Sequence, residues 1–244
     1  MDQTQWDLLD HYLCGQLVPA DVALDAALQS SAEAGLPGIN VTPNQGKFLH
    51  LLARVRGAKS ILEIGTLGGY STIWLGRALP PGGTLVTLEA NPDYAAVASG
   101  NIAQAGLSEK VSVVVGAAVE SLVRLKKEGI EPFDMVFIDA DKKTYPEYLQ
   151  MSLELCRTGS IIIGDNIIRR GRMADFESTD PDLLGLRKYF EMLADNPRLD
   201  STRLPFRLSD RRDGTGSRFP FTRERPAPCN ARKPSGNAMP FVAG

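Results

Sequence analysis

The sequence predicts a doubly wound α/β fold, because strand-like and helix-like segments alternate along the chain from about residue 42. The strand-like segments are short apolar runs, which are typical of parallel strands buried on both faces of a sheet. A chain of 244 residues with 43% hydrophobic residues can fill one large core. We therefore expect one domain over residues 1–204, with an N-terminal helical lid (1–41) and an α/β core (42–204).

Helices are predicted at the start of the chain. Two amphipathic segments, at about Asp2–Cys14 and Ala20–Ala34, could pack as a lid or an oligomer contact. A third helix is predicted to begin after Thr42, the expected N-cap. Pro43 suits its first position, and Gln45 occupies the capping-box position.

The rest of the core is predicted to be a regular alternation of five strands and four helices. The strands are Ser60–Ile64, Thr84–Leu88, Val111–Val115, Phe133–Ile138 and Ser160–Ile163. The helices between them are Tyr70–Leu79, Pro92–Gly106, Ala117–Glu128 and Tyr145–Cys156. Short connections between these segments favour helices on both faces of a parallel sheet.

Composition and charge bear on the compartment and on macromolecular partners. The net charge is −2 with both signs interspersed, which gives no argument for nucleic acid or an anionic membrane. No apolar run approaches the roughly 20 residues that span a bilayer, and the acidic N-terminus lacks a signal-peptide pattern. Cys14, Cys156 and Cys229 match no metal or redox spacing. A cytoplasmic setting is expected.

Acidic and amide residues follow two of the predicted buried strands. Asp139 closes the Phe133–Ile138 run, and Asp165 and Asn166 close the Ser160–Ile163 run. In open α/β sheets, ligands bind beyond the carboxyl ends of the strands. Two carboxylates and an amide oxygen there would suit a hard cation such as Mg²⁺. The alternative is that each Asp only caps the turn or helix that follows.

The turn after the first strand is rich in glycine but lacks the dinucleotide fingerprint, since its second glycine comes three residues after Gly65. Glu63 would repel a pyrophosphate, and it could instead accept a hydrogen bond from an ammonium group. Glu89 ends the second strand, where an acid can bind ribose hydroxyls. Small residues at 116–118 leave room for a flat base. A nucleoside with an amino-acid head fits this set.

Three segments together resemble a family: Glu63–Ser71, Phe137–Tyr145 and Gly164–Asn166. They are similar to the cation-dependent, S-adenosylmethionine-dependent O-methyltransferases, which include the caffeoyl-CoA and catechol O-methyltransferases. The resemblance covers about residues 1–202. It implies a Rossmann-like class I methyltransferase sheet and a homodimer.

The resemblance also implies roles for individual residues. The cofactor-binding positions are Val41, Glu63, Gly65, Thr66, Ser71, Glu89, Ala118 and Asp141. The protein ligands of a divalent cation, Mg²⁺ with Mn²⁺ or Ca²⁺ as alternatives, are Asp139, Asp165 and Asn166. Lys142 matches the proposed general base. A nearby dication would lower its pKa, but a solvated surface pair with Lys143 is the alternative.

The methyl acceptor is expected to be a catechol-like molecule or a vicinal diol. Two alternatives stay open: a hydroxylated uridine base of tRNA, and a cofactor-binding protein that its altered C-terminus has inactivated. Specificity is expected in the N-terminal helices and in the loop Ile167–Asp180, whose Arg169, Arg170 and Arg172 could meet an acidic substrate or stay solvated. Tyr145 and Tyr148 could line the substrate entrance or only pack.

The C-terminus departs from the family. After Thr202 the composition changes to Arg, Pro, Ser and Gly, which predicts an irregular tail over residues 205–244. The family ends instead in a strand hairpin with a Val-Gly-Ser-Lys-Gly-aromatic-Asp-Gly-Phe pattern. One choice of codons for Phe206–Ser217, read from its third base, encodes Pro-Val-Val-Gly-Ser-Lys-Gly-Trp-Asp-Gly-Phe. We therefore hypothesise a frameshift near codon 203, in the gene or in its recorded sequence.

Overall fold

The structure, a computed structural model, describes residues 3–204 and 239–243 and is organised around a seven-stranded sheet. The strand order is β3-β2-β1-β4-β5-β7-β6. The strands are β1 (Ser60–Ile64), β2 (Thr84–Glu89), β3 (Val111–Val115), β4 (Phe133–Ile138), β5 (Cys156–Gly164), β6 (Thr202–Leu204) and β7 (Met239–Ala243).

Helices connect the strands and cover both faces of the sheet. They are α1 (Gln3–Leu17), α2 (Val22–Glu33), α3 (Pro43–Arg56), α4 (Tyr70–Ala78), α5 (Pro92–Gln104), α6 (Ala118–Lys127), α7 (Tyr145–Glu154) and α8 (Pro181–Asp195). Short 3₁₀ segments lie at Lys142–Thr144 and Arg169–Ala174. The part of the chain that the structure describes contains no helix long and apolar enough to cross a membrane.

The sheet is doubly wound, which confirms the predicted fold class. From β1 the chain moves outward through β2 to β3, and it then returns to the other side of β1 for β4 and β5. Every described pair of neighbouring strands is parallel. The strand order therefore reverses between β1 and β4, and ligands bind at such a switch point in open α/β sheets.

Two apolar cores form because successive residues of a strand point to opposite faces. Ile61 and Phe137 join the core covered by α2–α5. Leu62 and Val136 join the core covered by α6–α8. All six residues of β4 are buried, as expected for the central strand.

A buried carboxylate ties three strands together at the edge opposite to the switch-point loops. Asp134 accepts hydrogen bonds from the backbone N–H groups of Lys59 (2.8 Å) and Ser60 (3.3 Å). It also accepts hydrogen bonds from the Arg56 and Arg157 guanidinium groups. Burial alone would raise the pKa of Asp134, but these donors outweigh it and lower the pKa.

The sequence prediction differs from the structure in three helices and strands, one of which is the short strand β6 (Thr202–Leu204), which was not predicted. It missed α8, although Asp180 accepts from the N–H of Asp182 as an N-cap and Pro181 occupies the first position. The five residues Met239–Ala243 were predicted as part of an irregular tail, whereas they form a strand beside β5. Residues 205–238 and 244, the rest of that tail, lie outside the described residues.

Candidate active site

Three loops meet at the carboxyl ends of the central strands because the parallel register continues past each strand. The N–H of Gly65 donates to Leu88 O, that of Asp139 to Ile64 O, and that of Asp165 to Ile138 O, each at 2.9 Å. The first positions after β1, β4 and β5 therefore lie side by side. They include two of the three predicted metal ligands.

Glycine is required where the loop after β1 approaches the loop after β4. Gly65 has a φ of +100°, and a Cβ there would lie 2.2 Å from Asp139 O. A larger residue would push the two loops apart. Gly65 therefore brings the predicted cofactor turn against the predicted metal loop.

The N-terminal helix α2 covers the glycine-rich turn. A Cβ on Gly68 would lie 2.0 Å from Ser31 Oγ. Asn101 Nδ2 donates to Gly68 O at 2.8 Å, and Ser30 Oγ donates to Asn101 Oδ1 at 2.6 Å. These contacts fix the turn between α2 and α5.

Glu63 is fully buried beneath this turn. Its carboxylate accepts hydrogen bonds from the hydroxyls of Ser71 (2.6 Å), Thr72 (2.5 Å) and Thr87 (2.7 Å). Burial raises the pKa of Glu63 to about 7 despite these donors. Because hydroxyl groups enclose the carboxylate, Glu63 contacts the turn through Ser71 and its neighbours. Direct contact between Glu63 and the ammonium group of a ligand stays a prediction.

Glu89 ends β2 and holds the same turn from the other side. Its Oε2 accepts from the N–H groups of Thr66 (3.2 Å) and Leu67 (2.8 Å), and its Oε1 accepts from Asn91 N–H at 2.9 Å. Thr66 Oγ1 also lies 2.5 Å from Thr87 Oγ1. Glu63 and Glu89 are thus connected through the hydroxyls of Thr87 and Thr66 and the backbone N–H of Thr66.

The remaining predicted cofactor positions surround this turn at different depths. Val41 is buried directly before the Thr42 N-cap of α3. Ala118 is half-buried and begins α6 after β3. Asp141 is exposed, and it accepts hydrogen bonds from Tyr148 Oη at 2.6 Å and from Thr144 Oγ1.

Asp165 is only 2% exposed, and both of its carboxylate oxygens accept hydrogen bonds. Oδ1 accepts from Asn166 N–H at 2.7 Å, and Oδ2 accepts from Gln45 Nε2 at 2.6 Å. Burial and the nearby negative charge of Asp139 raise the pKa of Asp165. The neighbouring negative charges of Asp139 and Asp165 would favour a bound cation.

The donor set fits a hard divalent cation. Asp139 and Asp165 would supply carboxylate oxygens, and Asn166, held in the left-handed region at φ +57°, would supply an amide oxygen. Among the residues that the structure describes, no group of three His, Cys, Asp or Glu side chains could hold a metal ion. The predicted set depends on the amide of Asn166, and it stays a prediction.

Lys142 lies beside this set and is only 6% exposed. Its Nζ donates to Asp139 Oδ1 at 3.0 Å and to Tyr145 Oη at 2.8 Å. The alternative of a solvated pair is wrong for Lys142, whereas Lys143 is exposed. The role of Lys142 as a general base stays a prediction.

Tyr145 does not line a substrate entrance, because it is fully buried. Its Oη lies 2.8 Å from Ile138 O and 2.7 Å from Asp165 O, and it donates its proton between these carbonyls. It also accepts from Lys142, so one phenol joins β4, β5 and the lysine. The sequence signal for this contact is the spacing, because Tyr145 follows Lys142 by three residues.

The arginine-rich loop after β5 is paired with the start of α8. Arg169 Nη2 lies 3.1 Å from Asp182 Oδ2, and Arg172 Nη2 lies 2.6 Å from Asp180 Oδ2. These ion pairs neutralise two of the three arginines that were predicted to meet an acidic substrate or stay solvated. The loop is therefore attached to the helix that packs against Lys142.

Comparisons with known proteins agree with this geometry. Residues 20–210 match the model of the O-methyltransferase family. Over 202 residues, the chain is 51% identical to a catechol O-methyltransferase from Niastella koreensis, covering 83% of this chain and 91% of that protein.

Two solved structures share the fold. One is an O-methyltransferase from Bacillus cereus in complex with SAH, with 48% identity, a TM-score of 0.80, and coverage of 81% of this chain and 90% of that one. The other is the O-methyltransferase TomG from Streptomyces achromogenes in complex with SAM. It has 45% identity and a TM-score of 0.78, covering 80% of this chain and 88% of that one. The predicted family is confirmed: the chain belongs to the O-methyltransferase family of enzymes.

Proposed function

We propose that the protein transfers a methyl group from S-adenosylmethionine to one hydroxyl of a catechol-like molecule or vicinal diol. The observation that carries this proposal is that Asp139 and the Asp165-Asn166 pair lie side by side at the carboxyl ends of β4 and β5, with Lys142 Nζ 3.0 Å from Asp139 Oδ1. The catechol O-methyltransferase from Niastella koreensis supports the acceptor class. The relatives solved with SAH and SAM support the cofactor.

The cofactor would bind at the glycine-rich turn. Carboxylates at the ends of β1 and β2 disfavour phosphates, and they suit a ligand with an ammonium group and ribose hydroxyls. Glu63 and Glu89 fix the turn through Ser71 and Thr66, as their hydrogen bonds indicate. The cofactor contacts proposed from the family positions are Val41, Glu63, Gly65, Thr66, Ser71, Glu89, Ala118 and Asp141.

A divalent cation would be held by Asp139, Asp165 and Asn166, with Mg²⁺ favoured by the all-oxygen donor set. When bound, such a cation orients both oxygens of a diol and lowers the pKa of the attacking hydroxyl. The proposal therefore favours acceptors with two neighbouring hydroxyls. An acceptor with a single hydroxyl would offer the cation only one oxygen.

Lys142 is the proposed general base. Its Nζ, in the neutral form, would take the proton from the acceptor hydroxyl, while Tyr145 holds that nitrogen in place. The acceptor oxygen would then attack the methyl carbon in line with its C–S bond, and S-adenosylhomocysteine would leave as the O–C bond forms, with alignment of the two reactants supplying much of the rate.

The test is a methyl-transfer screen of catechols, hydroxycinnamates and flavonoids with Mg²⁺ present, paired with acceptors that lack one hydroxyl. We expect transfer to the vicinal diols and little transfer to their monohydroxyl analogues. Lys142→Ala should slow transfer by about 10²–10⁴-fold, the range for a lost general base. Equal rates for diols and monohydroxyl analogues would contradict the proposal. S-adenosylmethionine binding without turnover on any diol would instead support the inactive alternative.

A further inference from the structure

Gln45 lies in the first turn of α3, yet its side chain does not close the predicted capping box. The N-cap Thr42 accepts only from the Gln45 backbone N–H, at 3.3 Å. The Gln45 side chain is 3% exposed, and its Nε2 donates to Asp165 Oδ2 at 2.6 Å. In a capping box the Gln45 side chain would accept from the Thr42 N–H, whereas here its amide makes a charge-assisted hydrogen bond to Asp165 instead.

This donor is held by a rigid part of the fold. Pro43 and the Thr42 cap fix the start of α3. Next to Gln45, a Cβ on Gly46 would lie 2.3 Å from Trp74 Cδ1, so α3 and α4 are in close contact there. The amide of Gln45 therefore reaches Asp165 from a fixed position, across 120 residues of sequence.

Asp139 and Asp165 accept hydrogen bonds from side chains of different charge. Lys142 pairs with Asp139 through an ammonium, whereas Gln45 offers Asp165 a neutral amide. A neutral donor can orient a carboxylate without competing electrostatically with a cation. It also satisfies one oxygen of a buried carboxylate that lies close to another negative charge.

We propose that Gln45 is a positioning residue of the metal site, whose amide holds the Asp165 carboxylate in the orientation that binds a divalent cation. The inference rests on the proposed cation site at Asp139, Asp165 and Asn166. Loss of a hydrogen-bond partner of a metal ligand typically lowers metal affinity by about 10–100-fold. We expect a loss of that size for Gln45.

The experiment measures Mn²⁺ affinity of the full chain from the electron paramagnetic resonance signal of free Mn²⁺. Gln45→Met keeps an unbranched side chain of similar length and removes the donor. The matched control is His50→Leu, which breaks a 3.1 Å contact between His50 Nδ1 and Trp74 O on the same helix. Asp139→Ala tests the cation site itself.

The expected result is strong Mn²⁺ binding by the wild type and by His50→Leu, with affinity about 10–100-fold lower in Gln45→Met. Equal affinity of Gln45→Met and the wild type would overturn the inference, as would equal losses in Gln45→Met and His50→Leu. If Mn²⁺ binding were absent from the wild type or unchanged in Asp139→Ala, the cation site itself would fail. Should Gln45→Met not fold, Gln45→Asn gives the same test, because its shorter amide cannot span the distance.

Discussion

The hydroxyl of Tyr145 offers a sharp test of how the site is held together. Tyr145→Phe removes one buried oxygen that accepts from Lys142 Nζ at 2.8 Å and donates toward Ile138 O and Asp165 O. A hydrogen bond to a charged group contributes about 1.5–3 kcal/mol, and a neutral one about 1 kcal/mol. We therefore expect the free energy of unfolding to fall by about 2–4 kcal/mol. Methyl transfer should also slow, because Lys142 loses its fixed position.

Tyr189 supplies the matched control. It is also fully buried, its ring centroid lies 5.4 Å from that of Tyr145, and its hydroxyl has no hydrogen-bond partner among the described residues. Tyr189→Phe should leave stability unchanged or raise it, because it removes an unsatisfied buried oxygen. Urea unfolding of both variants measures the difference. A loss below about 0.5 kcal/mol in Tyr145→Phe, or equal losses in both variants, would refute the reasoning.

Three further predictions concern the strands, the cofactor and the tail. Asp134→Asn should lower the free energy of unfolding by about 1.5–3 kcal/mol at neutral pH. Since the folded pKa of Asp134 is lowered, this stability is present above the unfolded pKa of about 3.9 and is lost as pH falls through the folded value. Urea unfolding should show the wild type and Asp134→Asn converging in acid, and a constant gap would contradict this. Glu89→Ala should weaken S-adenosylmethionine binding by about 1–3 kcal/mol in calorimetry, and unchanged affinity would count against the cofactor pocket. Restoring the alternative reading frame after codon 203 should raise the melting temperature, and an unbroken frame in independent reads of the gene would remove the frameshift hypothesis.

The sequence was sufficient for the central strands and for the polar residues that end them. Apolar runs such as Phe133–Ile138 show a buried strand, and parallel register then brings the residues after neighbouring strands together, as it does for Asp139 and Asp165. These inferences need only local patterns and one rule of sheet geometry.

The sequence was not sufficient for contacts that depend on how distant elements pack. The backbone at Lys142 packs against α8: a Cβ on Gly185 would lie 2.6 Å from Lys142 O. Since α8 was not predicted, this packing could not be predicted either. The Gln45 bond to Asp165 likewise depends on the packing of α3, and a local capping rule pointed elsewhere.

The most direct test of the proposed cation site is methyl transfer to a catechol in the presence and absence of a chelator. Excess EDTA should abolish transfer, and added Mg²⁺ or Mn²⁺ should restore it. Asp139→Ala should be inactive while it binds S-adenosylhomocysteine as the wild type does, because the cation orients the acceptor rather than the cofactor. Full activity in excess EDTA would contradict the cation site and the mechanism built on it.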